Sequence, residues 1–282
     1  MLRLHSIRLF LFIFLTGFTI HAAAAPTVLV TVPALHSLVS GLMDGIAEPQ
    51  LLMDDPNASS DLPLSGSQLR MLANVDMIVW AGPGLEKALQ DAIENKVPAV
   101  RSKMVTLSAT VPLLANEKKG DTDTPNYRNE ARNLEFWTDP RLSIIAIRTL
   151  TPRLVRLDPD NSELYLDNEI ALIERLKAIE QEMANTTALL PVDFMEASPG
   201  LNAYFLHRMQ HPVIAATKTQ HNDMIAIADC PEHFYRKVAA YANQRSPDTQ
   251  SVSSSVYGME FYFVMMRSQI ENLLKNNRGG PR

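Results

Sequence analysis

Cysteine is almost absent from this chain of 282 residues, and Cys230 is the only one. A single thiol excludes an intrachain disulfide and a cluster of thiolate metal ligands, so stability must come from the apolar core. The sequence also lacks a glycine-rich phosphate loop, a G-x-S-x-G turn and an H-E-x-x-H pair. These absences exclude the signature motifs of P-loop nucleotide-binding proteins, α/β-hydrolases and zinc peptidases.

Positive charge is also scarce. The chain has 26 basic against 31 acidic residues, a formal net charge of −5, and no basic stripe. A mildly acidic surface of this kind argues against nucleic acid or anionic lipid as the main partner. We therefore expect no nucleic-acid partner.

Long apolar runs are missing after the first 25 residues. Residues 9–20 form an apolar run behind Arg3 and Arg8, and four alanines follow at residues 22–25. A run of about 12 residues is shorter than the ~20 needed to cross a bilayer, and the flanks are typical of a secretory signal. We predict a signal peptide over residues 1–25 and an exported chain beginning at residue 26, with 24 basic and 31 acidic residues.

The first half of the exported chain alternates between apolar runs and segments with helical periodicity. Residues 27–32 read Thr-Val-Leu-Val-Thr-Val, which is typical of a strand buried on both faces of a parallel sheet. The other elements predicted here are strands at 50–53, 77–81 and 104–107 and helices at 35–46, 67–75, 85–95 and 140–156. Ser67 is expected to cap its helix. The alternation predicts a doubly wound α/β lobe over residues 26–160.

A long uninterrupted helix follows, because residues 161–185 contain no glycine or proline. The side chains expected on its buried stripe are Leu164, Ile170, Ile173, Leu176, Ile179 and Met183. About 25 residues at ~1.5 Å each span roughly 37 Å, which is enough for a rigid bridge between two lobes. We assign residues 161–187 to this bridge and residues 188–282 to a smaller α/β lobe. Its predicted strands are 192–195, 213–217 and 224–228, and its predicted helices are 202–210, 233–243 and 258–276.

Several short motifs occur in the order and spacing of one protein family. They include Val-Pro-Ala-Leu-His-Ser-Leu-Val at residues 32–39, Val-Trp-Ala-Gly-Pro-Gly-Leu-Glu at 79–86, Phe-Trp-Thr-Asp-Pro at 136–140 and Tyr-Phe-Val-Met-Met-Arg at 262–267. Over nearly all of its exported length the chain resembles the solute-binding proteins of zinc and manganese ABC importers, the ZnuA type. The resemblance implies two α/β lobes joined by one rigid helix, with a ligand cleft between the lobes.

The same resemblance implies a function. The chain is expected to be a periplasmic protein that binds Zn²⁺ or Mn²⁺ as a transported ligand and delivers it to an ABC permease in the inner membrane. No bond is made or broken in such a role, so we expect neither enzyme activity nor a catalytic cofactor. A monomer is expected.

The positions that hold metal ligands in this family are changed here. Members usually use three histidines and one acidic residue, which tie the two lobes together through one ion. The first histidine is deleted immediately before Asp61, and the second position, two residues before Trp137, is Glu135. The third falls near Pro199, and the fourth falls within residues 249–255, which contain no carboxylate.

Three residues remain as candidate metal ligands. Glu135 and Asp61 could supply carboxylate oxygens, and His36 follows the first strand, where α/β folds place ligand loops. His207 and His211 are four residues apart and offer a further pair on one helix face. With so few imidazoles the site is expected to hold Zn²⁺ weakly.

The loss of three histidines leaves a second interpretation open. The chain could be a ligand-degenerate paralogue that acts as a protein-interaction module and holds no ion. It could also bind a small solute other than a metal ion in a cleft that closes around it.

Overall fold

A computed structural model of the chain describes residues 24–52, 63–115, 132–188, 190, 202–209 and 258–278. Its strands are β1 (Val28–Val30), β2 (Gln50–Leu51), β3 (Met77–Trp80) and β4 (Met104–Thr106). The helices are α1 (Pro33–Leu42), α2 (Gly66–Asn74), α3 (Lys87–Asn95), α4 (Pro140–Leu157), α5 (Ser162–Thr187), α6 (Ala203–Arg208) and α7 (Glu260–Arg278). Short 3₁₀ helices cover Pro98–Lys103, Leu107–Ala109, Phe136–Thr138 and Pro159–Asn161.

The four strands form one parallel sheet in the order β2-β1-β3-β4. Alternate residues of β1 point to opposite faces, as strand geometry requires. Val28 and Val30 join the core formed with α1, α4, α5 and α7, whereas Leu29 joins the core formed with α2 and α3. The predicted strand buried on both faces is therefore confirmed, although it covers Val28–Val30 and not the whole of residues 27–32.

The carboxyl edge of the sheet is filled by protein groups at the point where the strand order reverses. Thr31 follows β1, and its hydroxyl donates to the buried carboxyl of Glu86. Gly82 follows β3 with a φ of 147°, and a Cβ at this position would meet Ser108 Oγ at 2.1 Å. Only glycine fits here, because both the backbone angle and the space exclude a side chain.

The helix at α2 begins one residue earlier than the sequence predicted, and its cap is a different serine. Ser65 accepts a hydrogen bond from the backbone N–H of Gln68, whose side chain accepts from the Ser65 backbone N–H. This reciprocal capping box satisfies two N–H groups at once. The prediction that Ser67 caps the helix is wrong, because Ser67 already lies inside it.

The long helix predicted at residues 161–185 is confirmed as α5, which packs against α1, α4 and α7. Its predicted stripe is wrong at two positions, since Leu164 is 38% exposed and Ile170 is 62% exposed. At about 100° per residue, six positions rotate Ile170 roughly 240° from Leu164, so no single face holds them both. The buried side chains of α5 are Tyr165, Leu172, Ile173, Leu176, Ile179, Met183 and Thr186.

Two helices are described in the C-terminal part. The predicted helices at 202–210 and 258–276 are found as α6 and α7. The predicted strands at 192–195, 213–217 and 224–228 and the helix at 233–243 lie outside the described residues. The lobe boundaries at residues 160 and 187 stay a prediction. In the described part of the chain, no helix combines the length and apolar character of a membrane span.

Candidate metal site

Glu135 occupies the turn that leads into α4. The next two residues, Phe136 and Trp137, are buried and pack edge to face with ring centroids 5.7 Å apart. The Trp137 carbonyl accepts hydrogen bonds from Ser143 Oγ at 3.1 Å and Tyr262 Oη at 2.8 Å. These contacts anchor the turn to α4 and α7, so the backbone at Glu135 is held by the core.

Asn202 contacts Glu135, although α4 and α5 separate the two residues in the sequence. It caps α6, because its Oδ1 accepts a hydrogen bond from the Tyr204 backbone N–H at 2.8 Å. Its Nδ2 donates to Glu135 Oε2 at 2.6 Å, and its Oδ1 accepts from Thr138 Oγ1 at 2.7 Å. One amide therefore connects the start of α6 to the turn before α4.

Two further side chains, Tyr204 and Arg208, hold α6 in place through hydrogen bonds. Tyr204 Oη donates to the Asn133 carbonyl at 2.7 Å and accepts from the Leu114 N–H at 2.8 Å. Arg208 forms two hydrogen bonds of 2.7 Å with the carboxylate of Asp139, which is 1% exposed. A two-pronged pair of this kind fixes orientation as well as distance.

The surroundings of Glu135 favour its neutral form. Burial raises the pKa of its carboxyl to about 7, while the hydrogen bond from Asn202 acts in the opposite direction. At neutral pH the carboxyl therefore exists both with and without its proton. Only the ionised form is a strong metal ligand, so a cation has to compete with a proton at this position.

His36 lies in the interior of the N-terminal lobe, 2% exposed. Its Nε2 is 2.8 Å from the Pro49 carbonyl oxygen, and its Nδ1 is 3.4 Å from Ser40 Oγ. Both ring nitrogens thus have hydrogen-bonding neighbours between α1 and β2. Metal ligation by His36 would require one of these contacts to be given up.

Several of the predicted ligand positions lie outside the part of the chain that the structure describes. They are Asp61, Pro199, His211 and residues 249–255. Within the described ranges, no group of three or more histidine, cysteine, aspartate or glutamate side chains is arranged to hold a metal ion. Among the described ligand candidates, Glu135 is the one for which a contact with a residue that follows α5 in the sequence is seen, namely Asn202.

A cavity of about 490 Å³ lies between the start of α4, the second half of α5 and the end of α6, and neither Glu135 nor Asn202 lines it. Its charged lining includes Arg141, Lys177, Glu180 and Arg208. Arg141 pairs with Glu180, Lys177 with Glu174 and Arg208 with Asp139. The cations of this cavity are thus already neutralised by protein carboxylates.

Sequence reasoning missed Asn202 and Arg208 as parts of this site. Asn202 carries one local signal, since asparagine directly before an apolar helical segment favours an N-cap. That signal predicts the helix start but gives no partner for the amide nitrogen. Arg208 has no such signal, because its partner Asp139 is 69 residues away along the chain.

Comparisons with known proteins identify the family. Residues 28–230 match the family model described as "Zinc-uptake complex component A periplasmic", ZnuA. The chain belongs to this family. The resemblance inferred from the sequence motifs is thereby confirmed, and the family description is that of a periplasmic component.

Individual relatives of this ZnuA-family chain are distant. The high-affinity zinc uptake system protein ZnuA of Yersinia pestis is 24% identical over 189 residues, which cover 60% of this chain and 58% of that protein. The chain spans about three fifths of the length of the curated relatives that it matches first.

Solved structures share the fold. The solute-binding protein FpvC of Pseudomonas aeruginosa, in complex with Mn²⁺, has a TM-score of 0.63 at 16% identity and covers 91% of this chain and 100% of that one. The periplasmic zinc-binding protein TroA of Treponema pallidum has a TM-score of 0.60 at 14% identity, covering 89% and 98%. These neighbours confirm the predicted α/β fold class.

Proposed function

We propose that this ZnuA-family chain is a periplasmic solute-binding protein that captures a divalent metal ion, Zn²⁺ or Mn²⁺, and delivers it to an ABC permease in the inner membrane. The observation that carries the proposal is the position of Glu135. This carboxyl lies in the turn before α4 and accepts a hydrogen bond from Asn202 at the start of α6. The motif resemblance implies a family ligand at this position. Relatives named for zinc uptake and a neighbour solved with Mn²⁺ support a metal ion as cargo.

Glu135 is the central donor of the proposed site, with Asp61 as a second donor and His36 as a third. Carboxylate oxygens suit Mn²⁺ and similar hard cations, whereas high Zn²⁺ affinity is usually built from imidazole or thiolate. The internal hydrogen bonds of His36 place it last among the three. We therefore propose a weak site, with less preference for Zn²⁺ than a three-histidine site has.

The remaining parts of the proposal follow from this role. Residues 1–25 are proposed as a cleaved signal, residues 26–160 and 188–282 as the two lobes, and residues 161–187 as the bridge between them. The chain is proposed to act as a monomer without catalytic activity, since capture and release of an ion require no bond chemistry.

The test is a metal titration of the chain from residue 26 to residue 282, purified without a histidine tag. Zn²⁺ and Mn²⁺ are titrated against a competing chelator, and bound metal is measured by elemental analysis. We expect one equivalent per chain and at least a tenfold loss of affinity in Glu135→Gln. Glu163→Gln is the control, since Glu163 is exposed at the start of α5. A wild-type chain that retains no metal contradicts the proposal.

A protein-interaction module is the second candidate. It is favoured by the lack of a three-ligand group among the described residues and by the internal hydrogen bonds of His36. If the chain is an interaction module, we expect that neither metal raises its melting temperature. Glu135→Gln should then bind a permease or an exported partner as the wild type does. A cleft that holds a non-metal solute predicts instead a thermal shift with a metabolite and none with the ions.

A further inference from the structure

Asn202, the N-cap residue of α6, contacts the candidate ligand Glu135, and no motif assigned it a role. Its side chain is 9% exposed, and its amide nitrogen lies 2.6 Å from Glu135 Oε2. The two residues are 67 positions apart in the sequence, with α4 and α5 between them. The contact is therefore made by tertiary packing and not by local sequence.

The orientation of this amide is determined by its other neighbours. The Tyr204 backbone N–H can only donate, so the atom of Asn202 that faces it must be the oxygen. Thr138 Oγ1 lies 2.7 Å from the same oxygen and has a hydrogen to donate. The nitrogen of Asn202 must then point at Glu135, because a flipped amide would set two donors against each other at the Tyr204 N–H.

A fixed N–H donor constrains the carboxylate of Glu135. It engages Oε2 from the side of α6, so a cation at this carboxylate would have to bind through Oε1 or share Oε2 with the Asn202 N–H. Carboxylates that bind metals are commonly oriented by a hydrogen bond of this kind, and its removal typically costs about 10- to 100-fold in metal affinity. The Asn202 oxygen itself is committed to two donors, so it is not a ligand in this arrangement.

We propose that Asn202 is a positioning residue that orients Glu135 and sets the metal affinity and selectivity of the site. This inference rests on the proposed function, since it requires Glu135 to bind the ion. An amide at this position supplies orientation without a second negative charge. An aspartate would place a second carboxylate beside Glu135 and create a two-carboxylate site for divalent cations.

Two substitutions separate this role from the capping of α6. Asn202→Ser and Asn202→Asp both keep a side-chain oxygen that can cap the helix, because serine, aspartate and asparagine are similarly good N-caps. Serine removes the donor to Glu135, and aspartate replaces that donor with an anionic oxygen. A purely structural role predicts the same metal affinity for the wild type and both variants.

The experiment measures Mn²⁺ and Zn²⁺ affinity by chelator competition for the wild type, Asn202→Ser, Asn202→Asp and Glu135→Gln. We expect Asn202→Ser to bind both ions at least tenfold more weakly. Asn202→Asp is expected to bind at least tenfold more tightly than the wild type, with the larger gain for Mn²⁺, because carboxylates favour that ion. In the metal-free state both Asn202 variants should still unfold in one cooperative transition, which shows that a change in affinity does not come from a chain that fails to fold.

The outcomes distinguish the two proposals. If Glu135→Gln loses metal while both Asn202 variants bind like the wild type, the positioning role is wrong and metal capture by Glu135 stands. If the wild type holds no metal, or Glu135→Gln binds as well as the wild type, the proposed site fails and the role of Asn202 fails with it.

Discussion

The buried carboxyl of Glu86 should make the free energy of unfolding depend on pH. Its carboxyl is 2% exposed at the carboxyl edge of the sheet. Thr31 donates a hydroxyl hydrogen bond to Oε1, and the Ala81 and Gly82 N–H groups lie 3.4 Å from Oε1 and Oε2. Burial raises the pKa of the Glu86 carboxyl from 4.5 to about 7, and these hydrogen bonds offset only part of that rise.

The sign and size of the effect on stability follow from this change in pKa. Between pH 4.5 and about 7 the folded chain keeps a proton that the unfolded chain has released. Rising pH therefore favours unfolding in this window, and the stability linked to the proton is lost as pH passes through the folded value. Each pH unit corresponds to about 1.4 kcal/mol, so the total loss is about 3 kcal/mol.

The assay is urea unfolding of the wild type and Glu86→Gln at pH values from 4 to 8. Glutamine resembles the protonated acid in shape and charge, so the variants should be similar in stability at pH 4. At pH 8 we expect Glu86→Gln to be more stable by about 3 kcal/mol. Glu135 also has a raised pKa, but its contribution cancels in the difference between the two proteins. A difference that stays constant from pH 4 to 8 would refute the reasoning.

Four further substitutions test stability and can be measured by chemical denaturation. Arg208→Ala should cost about 3 kcal/mol, because it leaves the Asp139 carboxylate buried without its cation; an effect below ~1 kcal/mol would contradict this. Ile179→Ala should cost about 3 kcal/mol, since Ile179 is fully buried in α5. Ile170→Ala on the same helix should cost less than about 0.5 kcal/mol, since Ile170 is 62% exposed. Gly82→Ala should cost about 2 kcal/mol or more, because the new Cβ meets a side-chain oxygen at 2.1 Å with φ at 147°.

The strands were predictable because their burial is continuous. Residues 77–81 read as a run of apolar side chains, and all four residues of β3 are buried between two helix layers. Helix faces were less predictable in α5, because several helices pack against it and its apolar residues are spread around the axis. Leu164 and Ile170 are 38% and 62% exposed although both are apolar, so apolar character alone did not identify the buried face.

The candidate site was predictable only in part. Glu135 could be named as a candidate ligand because Trp137 and Asp139 fix its position in a motif that resembles the family's. Asn202 was not found, because its contact with Glu135 depends on how α6 packs against the turn before α4. That packing rests on Tyr204 and Arg208, whose partners are distant in the sequence. Spacing along the chain carries no information about such contacts.

The polar contacts of α6 concern one role that a bound metal ion has in two-lobed binding proteins, which is to join the parts of the site. In a site with ligands from two lobes, the ion itself joins the lobes, and part of its binding energy is used to close them. Here Glu135 accepts a hydrogen bond from Asn202, and Asp139 accepts two hydrogen bonds from Arg208. These protein contacts already hold α6 against the turn before α4. If the proposed function is correct, an ion at Glu135 need not supply that contact, and the weak binding proposed for this site allows ready release to a permease.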